Sequence, residues 1–414
     1  MRPWDGASSD GIQTIRTHGP YEPSQSHPIP PKPTYDYIIS GMGCAGLSLA
    51  VRLIRSGGLE GRRLLLIDRD SKQANDRTWC YWETEPGPFE EVVYRRWGRA
   101  WFHAEGFSKL LDLSPYEYKM IRGADFYRHC LAIVEAHPGA EVLHAEVSGF
   151  RQESDRAFVV ADGREFDASY VFNSILLNPP PLRKGVHHLL QHFKGWIIQT
   201  SGPSFKPEEA TLMDFRPSQG HGTTFVYVMP LAADRALVEY TLFSPSLLED
   251  GEYDAGLSAY IGSQLGITEF EVVEREFGII PMTNHRFEAR NGRILNLGTA
   301  GGQTKASSGF TFRFIQKHTD RIVDSLSRNG HPFDVRFPGK ARFDWYDSTL
   351  LNILSNRTLE GSFVFRELFR KNSPSTILRF LDNETSPWQE LWLLNTLPQW
   401  PFMRAGIREW LQPA

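Results

Sequence analysis

The sequence predicts an α/β protein with three parts. They are a Rossmann-like dinucleotide-binding domain, a substrate domain on a mixed β-sheet, and a helical C-terminal region. Three observations carry this. The run Tyr35-Asp-Tyr-Ile-Ile-Ser-Gly-Met-Gly-Cys-Ala-Gly-Leu-Ser-Leu-Ala50 reads as a buried strand, a glycine turn and an amphipathic helix. A late strand-like run, Arg293–Leu297, leads into a second glycine cluster, Gly298-Thr-Ala-Gly-Gly302. Between them, residues 176–290 hold several long strand-like runs.

The first run has a G-x-G-x-x-G pattern at Gly41, Gly43 and Gly46, and a second apolar run, Leu64–Ile67, ends in Asp68. The first glycine permits the tight turn. The second lets the backbone approach a pyrophosphate, which sits on the N–H groups of the helix together with Cys44 and Ala45. The third allows close helix–strand packing. Asp68 lies about twenty residues on, where a carboxylate accepts hydrogen bonds from a ribose. Cys44 itself reads as a small packing residue.

Residues 1–33 are rich in Pro, Ser and Gly and read as a disordered extension. Residues 71–120 read as irregular, with abundant Trp and Tyr. Arg122–Ala136 has helical spacing, short strands follow over 141–150 and 157–160, and Asp162-Gly163 signals a hairpin. Tyr170–Asn173 is a further buried strand. The strands expected in the middle sheet are 195–200, 210–214, 223–229, 236–243 and 271–279. This order fits an FAD enzyme of the hydroxylase-like type. Residues 34–175 and 291–330 form the FAD domain, 176–290 an antiparallel-sheet substrate domain, and 331–414 the helical region. In that architecture Gly298, Gly301, Gly302 and Thr304 return to the flavin at a second helix N-terminus. Arg69, Arg77 and Thr78 approach it from the segment after Asp68.

The chain has 414 residues and a formal net charge of −4, with Lys and Arg dispersed, which argues against nucleic acid as a partner. Its three cysteines fit neither a disulfide framework nor a zinc pattern, and the histidines lack acid partners at ligand spacing, so no metal is expected. The first residues do not read as a signal peptide, with Asp5 and Asp10 where an apolar stretch would stand. No apolar run reaches the roughly 18–20 residues of a membrane span.

Several segments resemble the lycopene β-cyclases. They are Asn75-Asp-Arg-Thr-Trp-Cys-Tyr-Trp-Glu83, His192-Phe-Lys-Gly-Trp196, Glu276-Phe-Gly-Ile-Ile-Pro-Met282 and Gly298-Thr-Ala-Gly-Gly-Gln-Thr-Lys-Ala-Ser-Ser-Gly-Phe-Thr-Phe312. The resemblance runs from about Tyr35 to about Arg321. It implies FAD in its reduced form, NADPH or NADH as reductant, and lycopene or a related acyclic carotenoid as substrate. It also implies acid–base cyclisation of the ψ ends to β-rings, giving γ-carotene and β-carotene without net redox change. The family's Phe-Leu-Glu-Glu-Thr-like stretch corresponds to Leu237-Val-Glu-Tyr-Thr241, so Glu239 takes the place of the first glutamate and Tyr240 replaces the second. Strand alternation puts Leu237, Glu239 and Thr241 on one face, and burial among apolar neighbours lets a carboxyl keep its proton near neutrality. Glu83 reads either as a second acid–base group or as the partner of an arginine. Asp214 reads as a salt-bridge residue.

Two other readings share this domain plan: a flavin reductase or monooxygenase acting on an isoprenoid or polyene, and a non-catalytic carotenoid-binding flavoprotein. A hydrocarbon substrate also implies a peripheral membrane contact on the cytoplasmic side. The stretch Trp388–Trp410, dense in Trp and Leu with Arg404 and Arg408 near its end, is the segment for it.

Overall fold

The computed structural model describes residues 34–177, 183 and 185–411; the expected disorder of residues 1–33 falls outside them. The chain begins with β1 (Tyr35–Ser40), α1 (Cys44–Arg55) and β2 (Leu64–Asp68). Next come β3 (Thr78–Glu83), β4 (Arg95–Trp97), β5 (Arg99–Ala104), β6 (Phe107–Asp112) and β7 (Glu117–Arg122). After α2 (Gly123–Glu135) follow β8 (Ala140–His144), β9 (Val147–Gln152), β10 (Ala157–Ala161) and β11 (Arg164–Asn173).

β1 pairs in parallel with both β2 and β11, β2 with β8, and β11 with the late strand at Ile294–Asn296. Parallel strands buried on both faces need apolar residues at successive positions, as at Ile38 and Ile39 of β1. Ile39 and Leu66 face α1, α2 and the late helix Phe312–Asn329, and Ile38, Leu65 and Val171 face the β9–β10 side. The β10–β11 hairpin turns at Asp162 and Gly163, both with positive φ (46° and 72°), as the Asp-Gly pair predicts.

The second sheet is formed by β12 (His188–Gln199), β13 (Glu209–Asp214), β14 (Thr223–Ala232), β15 (Arg235–Ser244) and, beyond α3 (Asp250–Gln264), β16 (Glu271–Thr283). It has seven strands in the order β16-β12-β15-β14-β13-β5-β6. Two expectations change here. Residues 99–112 are not irregular but form the β5–β6 hairpin, and they belong to the substrate sheet rather than the nucleotide sheet. β5 joins through a parallel pairing with β13, so the sheet is mixed. β3, β7 and β4 make a third, antiparallel sheet.

The chain closes with β17 (Arg290–Asn291), β18 (Ile294–Asn296), α4 (Phe312–Asn329) and five helices. These are α5 (Lys340–Ser355), α6 (Gly361–Lys371), α7 (Pro374–Leu381), α8 (Pro387–Leu394) and α9 (Gln399–Leu411). Phe365, Leu368 and Phe369 of α6 and Leu393 of α8 pack on Phe102, Leu212, Phe225 and Phe243 of the seven-stranded sheet. α3 covers its other face against Val226, Val238, Tyr240 and Leu242. No helix among the described residues is long and apolar enough to cross a membrane.

Candidate active site

The glycine turn has the geometry its sequence requires. Gly41 has φ +94°, and a side chain there would meet Ser174 Oγ at 2.3 Å. At Gly46 a Cβ would lie 2.0 Å from the Gly41 carbonyl oxygen, so this glycine serves packing and does not line the cavity. At Gly43 a Cβ would meet nothing within 4 Å. It faces a cavity also lined by Gly41, Cys44, Ala45 and Asp68. Gly43 caps α1 without a side-chain hydrogen bond, so the first-turn N–H groups keep their capacity for an anion. A pyrophosphate fits this cradle. Asp68 is buried, accepts from Met42 N–H at 2.6 Å and Asp70 N–H at 2.9 Å, and lines the same cavity. Burial pushes the Cys44 thiol up to about 12, so it packs as a neutral group.

The cavity continues past Arg77, Thr78 and Trp79 to the inner face of the seven-stranded sheet. There it is lined by Phe193, Tyr227, Met229, Glu239, Glu276 and Phe310. Glu239 is 8 % exposed, and Thr241 Oγ1 donates to its Oε1 at 3.0 Å. Burial pushes its carboxyl well above the usual range, and the neighbouring Glu276 carboxylate pushes it further. Strand alternation explains the Leu-Val-Glu-Tyr-Thr stretch. Leu237 packs with the α6–α8 side of the sheet, whereas Val238 and Tyr240 pack with α3. Position 240 points away from the cavity, so no carboxylate there would reach it.

The second carboxylate comes from another strand. On β12, Gly195 lies opposite Glu239 of β15 on one side and Glu276 of β16 on the other. Thr78 Oγ1 donates to Glu276 Oε2 at 2.7 Å. Burial raises the Glu276 carboxyl also, opposed by the Thr78 hydrogen bond and by the neighbouring Glu239 carboxyl. The sequence alone does not distinguish Glu276 from Glu271 and Glu274, which share its edge strand. Only the register across Gly195 singles it out.

Glu83 is a different case. It accepts from Lys119 Nζ and Arg313 Nη1, each at 3.1 Å, and from Gly87 N–H at 3.2 Å. It does not line the cavity, so the geometry places it in an ion-pair network rather than in acid–base work. Asp214 likewise pairs with Arg216 and accepts from Tyr260 at 2.7 Å. Arg69 is exposed and pairs with Glu146 at 3.5 Å, outside the cavity.

Gly298 reaches the cavity, packed beside Ala45, while Gly301 and Gly302 do not. A Cβ on Gly301 would strike the Asn296 carbonyl, and Gly302 takes the left-handed conformation that ends the 3-10 turn Gly298–Gly301. Thr304 shares hydrogen bonds with Thr299 and Thr311, which do line the cavity. The helix expected directly after the glycines starts only at Phe312. The intervening turn is pinned by the buried Lys305, which pairs with Asp347 of α5 at 2.7 Å.

Residues 36–406 match the lycopene cyclase protein family. The chain belongs to the lycopene cyclase family. It is 27 % identical over 256 residues to lycopene beta-cyclase from Paracoccus sp. (strain N81106 / MBIC 01143). That alignment spans 60 % of this chain and 61 % of the relative. Among solved structures, the fold is similar to a geranylgeranyl bacteriochlorophyll reductase-like protein from Thermoplasma acidophilum. The TM-score is 0.57 at 13 % identity, over 90 % of this chain and 99 % of that one. It is also similar to p-nitrophenol 4-monooxygenase from Pseudomonas putida DLL-E4, with TM-score 0.55 at 12 % identity, over 88 % and 98 %. The fold of this lycopene cyclase family member is therefore one that flavoprotein monooxygenases also use. Asn173, at the end of β11, ties that fold together, donating to Asn296 Oδ1 at 2.9 Å and to the Ile175 carbonyl.

Proposed function

We propose that this protein is a lycopene β-cyclase that closes the ψ ends of lycopene to β-rings by acid–base catalysis beside reduced FAD. NADPH or NADH serves as the electron source. The observation that carries this reading is Glu239, a buried carboxyl whose protonated form is favoured, at the far end of a cavity that begins at the dinucleotide cradle. Gly41, Gly43, Cys44, Ala45, Asp68 and Gly298 would hold FAD. When bound, the reduced flavin supplies negative charge near a developing carbocation. Glu239 holds the proton for C2 of the terminal double bond. Trp79, Tyr227 and Phe310 line the apolar end and exclude water, and their rings favour a nearby cation.

The same proposal includes a peripheral membrane contact on the cytoplasmic side. Trp388, Trp392, Trp400 and Trp410 are 73, 74, 82 and 74 % exposed. Leu391, Met403, Ile407 and Leu411 are exposed with them on α8 and α9. Arg404 and Arg408 flank the α9 stripe and are also exposed. Exposed apolar surface of this extent marks an interaction site, and tryptophans with flanking arginines suit an anionic headgroup boundary.

The test is anaerobic incubation of the FAD-loaded protein with reductant and lycopene, followed by chromatography. γ-Carotene and β-carotene are expected from the parent. Glu239→Gln, with FAD retained, is expected to lose about 100–10,000-fold in rate. Parental activity in that variant would remove Glu239 as the acid.

A further inference from the structure

We propose that Glu239 and Glu276 hold one proton between them across Gly195, with Glu239 carrying the proton and Glu276 the charge. This rests on the cyclase reading and adds the base to it. Both residues are in register with Gly195, one on each neighbouring strand. Their backbones are thus about two strand spacings, ~9.6 Å, apart. The position between them carries no side chain: a Cβ on Gly195 would lie 3.0 Å from Glu276 Oε1, and both glutamates line the same cavity. Two like charges buried in one cavity disfavour each other, and one proton held between the carboxyl groups removes one of those charges.

The surrounding donors fit this division. Thr78 donates to Glu276 Oε2 and Thr241 to Glu239 Oε1. Glu276 Oε1 is buried and accepts from no N–H or hydroxyl group among the described residues. A proton on the Glu239 carboxyl is the donor this proposal supplies to it.

The other ionisable groups around the pair lie on four strands and on the segment before β3. Tyr227 stands on β14 opposite Glu239, Cys80 on β3 and Tyr118 on β7; burial pushes all three well above their usual values, so they stay neutral. Glu274 on β16 is held by Arg235 at 3.4 Å and Asn75 at 3.3 Å. Arg77, before β3, lines the cavity and pairs with Asp76 at 3.6 Å.

Protons and electrons balance over the reaction. Glu239 gives its proton to C2 of the C1=C2 bond. The electrons of C5=C6 form the C6–C1 bond and leave the cation at C5. Glu276 takes the proton from C6, and that C–H pair becomes the new C5=C6 bond. The substrate gains and loses one proton, and no electron is transferred. The proton now on Glu276 passes back to Glu239 along their hydrogen bond, which restores the site.

The test uses the FAD-loaded protein with two readouts. The first needs no substrate: the infrared carbonyl band of a protonated carboxyl, followed across neutral and alkaline pH. Glu239→Gln should remove the band. Glu276→Gln removes the like charge, so the band should titrate at least about one pH unit lower. Thr78→Val, which strips the donor from Glu276, should move it higher and keeps the test open if Glu276→Gln does not fold. The second readout is the pH profile of cyclisation, whose alkaline limb should move with the band and be restored by Glu276→Asp. A band and alkaline limb left at the parental position in both the Glu276 and Thr78 variants would overturn the pair. The expected band shifts in a parent that cyclises nothing would keep the pair and sink the cyclase reading instead.

Discussion

A single methyl group at Gly195 probes the register of the substrate sheet. A Cβ there would lie 2.8 Å from Glu276 Cγ, 3.0 Å from Glu276 Oε1 and 3.0 Å from Leu237 Cδ1. Ordinary contact begins at 3.4 Å, so Glu276 must give way by ~0.6 Å in a packed interior. Overpacking of this kind costs about 1–3 kcal/mol. Replacing a strand glycine returns about 0.5–1 kcal/mol through the unfolded chain. The loss wins, and Gly195→Ala should be destabilised by ~0.5–2 kcal/mol. Because the displaced atoms belong to Glu276, the larger effect should fall on activity, with cyclisation down by about 100-fold, the low end of an acid–base contribution. Gly149→Ala is the control. It lies on β9, a Cβ there meets nothing within 4 Å, and its φ is not positive, so it should be neutral or slightly stabilising. The assay combines denaturant unfolding, flavin retention and the lycopene turnover rate. A folded, FAD-loaded Gly195→Ala protein with parental turnover would show that the position of Glu276 does not matter to cyclisation.

Three further outcomes are expected. Gly43→Val should fold yet lose flavin, since its side chain enters the open cradle; stoichiometric flavin in that variant, read from its visible absorbance, would move the cofactor elsewhere. The triple variant Trp392→Ser, Trp400→Ser, Trp410→Ser should float less with anionic vesicles than the parent at unchanged thermal stability, because these side chains are exposed; equal flotation would place the membrane contact elsewhere. Such substitutions are preferable to truncation after Thr385, which would also remove Glu390, bonded to Tyr346 and Thr385, and Glu409, bonded to His187 and Asn352. Burial holds His192 down at about 4, with Ser244 on Nε2 at 2.7 Å. Its folded value lies below the unfolded 6.5, so its contribution is complete above about 6.5 and is lost as pH falls toward 4. That contribution is at most about 3 kcal/mol, and His192→Gln should therefore lose less stability than the parent between pH 7 and 5. Equal losses on denaturant unfolding would contradict it.

The β1–α1–β2 unit was legible because each of its signals is local: a doubly buried apolar run, glycines at fixed offsets, and an acid at the end of the next strand. The β10–β11 hairpin was legible for the same reason, through Asp162-Gly163. The β5–β6 hairpin was not. Its place is fixed by the parallel pairing of Arg99–His103 with Glu209–Asp214, more than a hundred residues away, and no local pattern encodes that. The helix α3 is hidden in the sequence because Gly251, Gly256 and Gly262 interrupt its apolar spacing. Its start does carry a readable signal, the capping box between Glu249 and Glu252. In the site, the glycine cradle and Glu239 were readable, the latter through family resemblance and alternation together. Glu276 was not, since its partner is defined by two strand registers. Glu83 read ambiguously because only the fold brings Lys119 and Arg313 to it.

The proposed chemistry rearranges a polyene by moving protons, with no net electron transfer. The most direct measurement is the mass and reductant balance of a strictly anaerobic reaction, started by photoreduction of the bound flavin in place of NADPH. Cyclised carotenoid of unchanged mass should form over many turnovers without further reductant. One reductant consumed per product, with a gain of two hydrogens, would contradict it and point to a reductase.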